Sequence, residues 1–157
     1  MIPENDFDSA YDMYGDMIYK IAFLYLGTPE DAEDVMQDVF VRLISKAPEF
    51  KSEEHRKAWI IRTSQNRCRD KLRSSARKNL NLDDYSFSAE NSNTDTKIDI
   101  INAIYKLPAL YKSAVILYYY YDYSVSEIAK TLKISTSSVK MRLKRGRELL
   151  KIELEDY

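Results

Sequence analysis

Cysteine, histidine and tryptophan each occur once in these 157 residues, glycine three times and proline four times. A lone cysteine, Cys68, cannot form an internal disulfide, and a lone histidine, His55, has no companion at metal-ligand spacing. With so little glycine and proline and 45 % hydrophobic residues, a folded, mostly helical chain is favoured over a disordered or all-β one. No apolar run approaches the roughly twenty residues of a membrane span, and none opens the chain, so a cytoplasmic protein with no membrane insertion of its own is expected. No nucleophile with its base, paired carboxylates or metal cluster stands at a recognisable spacing, so no enzyme activity and no cofactor are expected. The net charge of -1 would by itself argue against a nucleic-acid partner. That average hides segments of opposite sign.

What the chain does have is helical periodicity. Phe7, Tyr11, Tyr14, Ile18, Ile21, Ala22 and Tyr25 recur at three- and four-residue spacing and stop at Gly27, which marks one amphipathic helix. Thr28 as N-cap, Pro29 at the first helical position and Asp31 three residues after the cap open a second helix. Its apolar face is Ala32, Val35, Val39, Leu43 and Ile44, and Pro48 marks its end. A third helix is expected from about Glu53 to Arg73, with Ala58, Trp59, Ile61, Cys68 and Leu72 buried. From Ser74 to Thr96 the periodicity gives way to Ser, Asn and Asp, which offer the backbone local hydrogen bonds in place of a helix. The expected fold is therefore all-α: a three-helix domain over residues 1–75, a flexible linker over 76–96 and a second helical domain over 97–157.

In the second domain Pro108 separates two helical stretches, and Ser124 opens "SVSE", a capping box with Glu127. A helix of barely two turns, "VSEIAKTL", leads through the turn "KIS" into a longer basic helix capped by Ser135. This is the helix-turn-helix pattern, whose second helix enters the major groove. Val139, Leu143 and Leu150 share a face that can pack on Ile128, Ala129 and Leu132. The remaining surface carries Thr136, Ser137, Ser138, Lys140, Met141, Lys144, Arg145 and Arg147, where cations can reach phosphates or guanine edges and Met141 a thymine methyl. A solvated basic face is the plainer alternative, and the short capped helix before it argues against that.

A second basic segment, "RTSQNRCRDKLRSSARK" at residues 62–78, holds Asp70 as its only acid, whereas "EDAEDVMQD" at 30–38 has five acids and no base. Glu30 and Asp31 suit the first turn of a helix through the macrodipole. Glu33, Asp34 and Asp38 are not explained that way and point to a positively charged protein surface, with a solvated acidic face as the alternative.

Three stretches in this order resemble the bacterial sigma-70 family of RNA polymerase sigma factors, of the extracytoplasmic-function (ECF) type that keeps only regions 2 and 4. "DAEDVMQDVFVRL" is similar to region 2.2, "WIIRTSQNRCRDKLR" to the later part of region 2, and "LPALYKSAVILYYYYDYSVSEIAKTLKISTSSVKMRLKRGREL" to region 4. The resemblance implies an alternative sigma factor that reads the duplex minus-thirty-five element with residues 136–147. It implies that Asp31, Asp34, Gln37, Asp38 and Arg42 dock on the β′ clamp helices of core polymerase, while region 4 meets the β flap. It also implies pockets for the melted minus-ten strand, made by Phe50, Lys51, Ser52, His55, Arg62, Asn66, Arg69 and Arg73. Trp59 is left between base stacking and a core anchor, the latter being commoner for a tryptophan at a helix start. An anti-sigma factor, membrane-anchored, would hold the protein at the inner face of the membrane. Gln65, Met141 and Lys144 depart from the commoner family pattern, which bears on the promoter read. The rivals are an autonomous dimeric repressor or activator, for which the linker and acidic helix are superfluous, and a helical adaptor using "LYYYYDY", which leaves the second basic helix unexplained.

Overall fold

The computed structural model describes residues 4–78 and 95–155, with side chains over residues 8–74 and 100–151. Phe7 and the whole expected linker, 76–96, lie outside the described side chains. Among the described residues all regular structure is helical: α1 (Glu4–Leu26), α2 (Pro29–Ser45), α3 (Glu53–Lys78), α4 (Asp95–Lys106), α5 (Ala109–Val115), α6 (Val125–Leu132) and α7 (Thr136–Glu155). Two compact units divide the chain, residues Met1–Arg77 and Lys78–Tyr157. The third helix outruns its expected end at Arg73. Residues 74–78, "SSARK", continue it, because the local hydrogen bonds that serine offers are a weak preference and an established helix propagates at little cost.

In the first unit the α1–α2 corner is built as its sequence dictates. Gly27 takes φ 82°, a conformation that costs glycine nothing, and its N–H donates to the Phe23 carbonyl at 2.8 Å. Thr28 then caps α2, its Oγ1 accepting from the Asp31 N–H at 3.3 Å. Tyr14, Ile18, Ile21, Ala22 and Tyr25 of α1 are buried with Ala32, Val35, Val39 and Leu43 of α2. Two residues of the expected apolar faces are not. Tyr11 is 47 % exposed and lies 5.2 Å, ring to ring, from Phe40; Ile44 is 44 % exposed, at the edge of the stripe near the end of α2. On α3, Ile61 and Cys68 are buried as expected, but Ala58, Trp59 and Leu72 are only half-buried, and the core side is completed by Ile60, Ser64 and Gln65. Ser64 enters the core because its hydroxyl donates back to the Ile60 carbonyl at 2.7 Å. Gln65, which departs from the family pattern, is thus a core residue and cannot read a promoter directly.

The second unit is assembled around α7, which packs on α4, α5 and α6. After Val115, α5 widens into a π-helical turn over Ile116–Tyr120, closed by the Tyr123 N–H donating to the Leu117 carbonyl at 2.9 Å. Asp122 follows at φ 57°, a left-handed conformation that aspartate tolerates better than most residues. The expected capping box on α6 is complete: Glu127 N–H to Ser124 Oγ and Ser124 N–H to Glu127 Oε1, both 3.1 Å. Lys133 closes α6 at φ 58°, and the Ile134 N–H reaches back to the Ala129 carbonyl at 3.1 Å. Ile128, Ala129, Val139 and Leu143 are buried, while Leu132 and Leu150 are half-buried.

Gly146 is where α7 comes closest to α5. A Cβ placed there would lie 2.6 Å from Val115 Cγ2, far inside contact distance, and Val115 is a stiff β-branched side chain with no room to turn. Alanine would gain about 1 kcal/mol of helix propensity over glycine and lose about 1–3 kcal/mol to overpacking. Gly146→Ala should therefore lower the unfolding midpoint of the second unit in urea. Adding Val115→Ala should remove the clash, so that the effect of Gly146→Ala in that background becomes stabilising; a uniformly stabilising Gly146→Ala would contradict the close approach.

Candidate nucleic-acid interface

Two helices present cationic faces. On α7 the face opposite the buried Val139, Leu143 and Gly146 carries Ser137, Met141, Lys144 and Glu148, flanked by Thr136, Lys140, Arg145 and Arg147. Met141 is 59 % exposed, and Thr136, Ser137, Lys140, Met141 and Lys144 have no side-chain partner among the described residues. Ser135 caps the helix: its Oγ accepts from the Ser138 N–H and donates to Ser138 Oγ, each at 3.0 Å. Ser138, expected among the groove residues, is therefore half-buried and part of that cap. Arg145 pairs with Glu148 at 3.2 Å, and an Arg147 N–H reaches the Tyr119 hydroxyl at 3.4 Å, a long contact. Glu148 and Tyr119 adjoin the groove face without having been expected there; the i, i+3 spacing from Arg145 marks the first, while the second depends on tertiary packing.

The start of α3 is an aromatic cluster. Ser52 caps it by accepting the His55 N–H at 3.1 Å, and His55 Nδ1 accepts the Lys51 N–H at 3.2 Å, which leaves the ring proton to Nε2. Phe50 meets His55 and Trp59 edge-on, with ring centres 5.3 and 5.7 Å apart. Trp59 is neither fully core nor free: it is half-buried, and Phe50 covers part of it. Beneath the cluster Arg56 lies over the Tyr14 ring at 5.5 Å and pairs with Glu53 at 2.7 Å. Burial, and then the hydrogen bond it donates to Glu53, raise the Tyr14 hydroxyl pKa above its ordinary value.

At about 100° per residue, His55, Arg62, Asn66, Arg69 and Arg73 fall within roughly 60° of one another, opposite Ile60, Ile61, Ser64 and Cys68. The structure thus brings five of the eight expected minus-ten residues into one stripe, and Phe50, Lys51 and Ser52 lie at its N-terminal end. Within it Arg69 donates to Asn66 Oδ1, and burial lowers the Arg62 guanidinium from its ordinary pKa. Arg73 and the Lys51 side chain are exposed.

The acidic residues of α2 do not all face outward. Arg67 and Lys71, on the flank of α3, form an antiparallel ladder with α2: Arg67 Nε lies 2.6 Å from Asp38 Oδ2, and Lys71 Nζ 3.0 Å from Asp34 and 3.4 Å from Asp31. Arg42 approaches the same Asp38 at 3.6 Å. For Lys71, burial pushes the ammonium pKa down, but Asp34 and Asp31 outweigh it and hold it above its ordinary value. Of the five expected docking residues, Gln37 alone is outside this ladder; it is exposed, on the same side of α2 as Val41, which is 60 % exposed. Periodicity of one helix does not mark Arg67 and Lys71. The matched i, i+4 spacing of cations on α3 and acids on α2 is the signal that could have paired them.

Family models match a stretch of each unit. Residues 10–78 match sigma-70 region 2 and residues 97–150 match sigma-70 region 4. Among curated proteins, the ECF RNA polymerase sigma factor SigW of Bacillus subtilis is 27 % identical over 176 residues, covering 98 % of this chain and 91 % of that protein. SigM of Mycobacterium tuberculosis is 28 % identical over 146 residues, covering 92 % and 74 %. The fold is shared with the sigma factor RpoE of Bartonella quintana, solved with the anti-sigma factor NepR, at a TM-score of 0.73 and 22 % identity over 96 % of this chain and 97 % of that one. It is shared as well with CnrH, solved with the cytosolic domain of CnrY, at a TM-score of 0.70 and 20 % identity, covering 98 % and 90 %. The chain belongs to the sigma-70 family, as an ECF sigma factor. No helix among the described residues is long and apolar enough to cross a membrane.

The cap at Ser52 fixes where α3 starts and so the placement of Phe50 and His55. Ser52→Ala should destabilise the first unit by about 1 kcal/mol. It should also shift the emission of Trp59, the sole tryptophan. An unchanged urea midpoint together with an unchanged emission spectrum would show that the cap does not organise this cluster.

Proposed function

We propose that this protein brings core RNA polymerase to promoters through binding alone, with no covalent chemistry. In this reading α7 reads the duplex minus-thirty-five element through Thr136, Ser137, Lys140, Met141, Lys144, Arg145 and Arg147. The stripe on α3 and the cluster at its start hold the melted minus-ten strand. Unstacked bases cost a few kcal/mol each, which aromatic stacking on the Phe50–His55–Trp59 cluster and hydrogen bonds from Asn66 and the arginines can return. The observation that carries the reading is the pair of cationic faces, one per unit, each opposite the core side of its helix, in a chain matching regions 2 and 4 in order.

The acidic helix α2, with Asp31, Asp34, Gln37, Asp38 and Arg42, is the surface for the β′ clamp helices, and the second unit meets the β flap. Tethering converts the second DNA contact into an intramolecular one, so two weak affinities combine once polymerase fixes the spacing. The protein works in the cytoplasm, where an anti-sigma factor covers these surfaces and holds the protein at the inner face of the membrane. RpoE, which shares the fold, was solved with the anti-sigma factor NepR, and CnrH, which shares it too, with the cytosolic domain of CnrY, which supports that part of the reading.

Run-off transcription from genomic fragments tests the whole. Core polymerase should give discrete new transcripts only when this protein is added, and their absence, or tight binding of a palindrome without polymerase, would refute it. Lys144→Ala and Arg145→Ala should each weaken minus-thirty-five-dependent promoters by about 1–3 kcal/mol, on the order of tenfold or more in occupancy. Core binding, followed by co-elution, should stay unchanged; its loss would contradict the division of labour.

A further inference from the structure

The tyrosine-rich stretch "LYYYYDY", residues 117–123, borders α7 through a wide turn. At α-helical spacing Tyr119, three residues after the buried Ile116, would lie on the core side of α5. The π-helical turn over Ile116–Tyr120 widens the ring by one residue, and Tyr119 emerges 48 % exposed beside α7. There its hydroxyl oxygen accepts an N–H of Arg147 at 3.4 Å, and its ring stands edge-on to Tyr118 at 4.9 Å. The phenol's own proton has no acceptor among the described residues. Arg147 differs in this from Arg145. Arg145 pairs with Glu148, which cancels part of its charge, whereas Arg147 has no carboxylate partner among the described residues and is met only by a neutral phenol. A neutral acceptor orients a guanidinium and leaves its charge whole for a phosphate. Thr136, Lys140 and Arg147 fall within about 40° of one another on α7, with Arg147 roughly 16 Å along the axis from Thr136. A helix whose first turns lie at the base edges carries Arg147 out toward the backbone wall of the groove.

We infer that Tyr119 and Arg147 form a two-armed site for one backbone phosphate of duplex DNA, with Tyr119 a contact from outside the helix-turn-helix. The phenol O–H donates to one phosphate oxygen and the guanidinium to another, and the tyrosine sets the direction of the guanidinium before DNA arrives. Both residue types are regular phosphate ligands, and such a contact fixes register on the duplex without carrying sequence information. Tyr120, equally exposed at 48 %, has its ring against Tyr121 at 5.0 Å and no cation partner among the described residues, so it lies outside the site. The inference rests on the reading that α7 enters the major groove.

Because a phosphate contact is indifferent to sequence, the full chain can be tested without polymerase, by anisotropy of a labelled DNA duplex of mixed sequence. Arg147→Gln should make the slope of log affinity against log salt shallower by about 0.9, one phosphate on B-DNA. Tyr119→Phe keeps the ring that meets Tyr118 and removes only the hydroxyl. It should weaken binding about fivefold with the slope unchanged, since a neutral donor releases no counterion. In the Arg147→Gln background the same change should cost less than about twofold, because the two arms hold one anion. Tyr119→Glu gives Arg147 a carboxylate and should flatten the slope by about 0.9 with the arginine still present, whereas Tyr120→Glu should leave the slope unchanged. Equal losses from the Tyr120 variant, an undiminished loss from Tyr119→Phe in the Arg147→Gln background, an unchanged slope in Arg147→Gln, or unchanged affinity in a Tyr119→Phe protein that circular dichroism shows to be folded would each overturn the site. If Tyr119→Glu does not fold, the Tyr119→Phe and Arg147→Gln cycle carries the test. Promoter-specific run-off transcription by a protein in which Tyr119→Phe is silent would overturn this inference alone; the expected coupling without promoter-specific transcription would refute the polymerase reading and leave the phosphate site standing.

Discussion

Burial of one side of α3 sets the rotation of that helix, and the remaining surfaces of the first unit depend on that rotation. With Ile60, Ile61, Ser64 and Cys68 turned into the core, the residues half a turn away have nowhere to point but outward. Close packing of these buried side chains supplies both the energy and the register of the arrangement, and the Asp38–Arg67 and Asp34–Lys71 pairs lie on its partly exposed flank, where each adds little. The stripe of His55, Arg62, Asn66, Arg69 and Arg73 is thus the complement of the core, and its chemistry follows from what the core leaves over.

The same division appears in the second unit with a different device. There Gly146 lets α7 lie close against Val115, and the approach brings the buried Val139 and Leu143 together with Ile128 of α6. A larger residue would lift the groove helix off its support. Rigid support matters for recognition, because base-edge hydrogen bonds discriminate only when the side chains that make them are held in place. The cationic side chains themselves remain loosely held, Lys140 and Lys144 being exposed, which suits contacts to a flexible, hydrated phosphate backbone.

Local chemistry made much of this legible in the sequence. Thr28, Ser124 and Ser135 each cap a helix as their spacing implies, and the periodicity of α1, α2 and α7 picks out most of their buried residues. What stayed hidden required knowing a neighbour. Ile44 and Tyr11 obey the helical period yet are exposed, Tyr11 even though its ring meets Phe40 of α2. Gln65 reads as a surface residue until Ile61 and Cys68 place its side of α3 in the core. Arg67 and Lys71 read as part of an undivided basic run, and only the crossing with α2 separates them from the stripe. Lys112, buried at 2 % exposure over the Tyr105 ring at 5.0 Å, was likewise invisible, since lysine at a core position is rare without such a partner. The proposed groove face of α7 is more legible than the proposed strand face of α3, because a helix-turn-helix declares its outer face by sequence order, whereas the α3 face is assembled from a loop and a helix.

The central claim is that the two cationic faces work together on one DNA, one on duplex and one on a strand that has left it. Permanganate reactivity of thymines on a promoter fragment selected by this protein with core polymerase measures that directly. Unpaired thymines should appear about ten base pairs upstream of the start only when both polymerase and this protein are present, and Arg62→Ala/Asn66→Ala should suppress them while protection of the upstream duplex persists. Thymines that stay paired while the complete complex is bound and initiating, or that open equally with polymerase alone, would contradict the account.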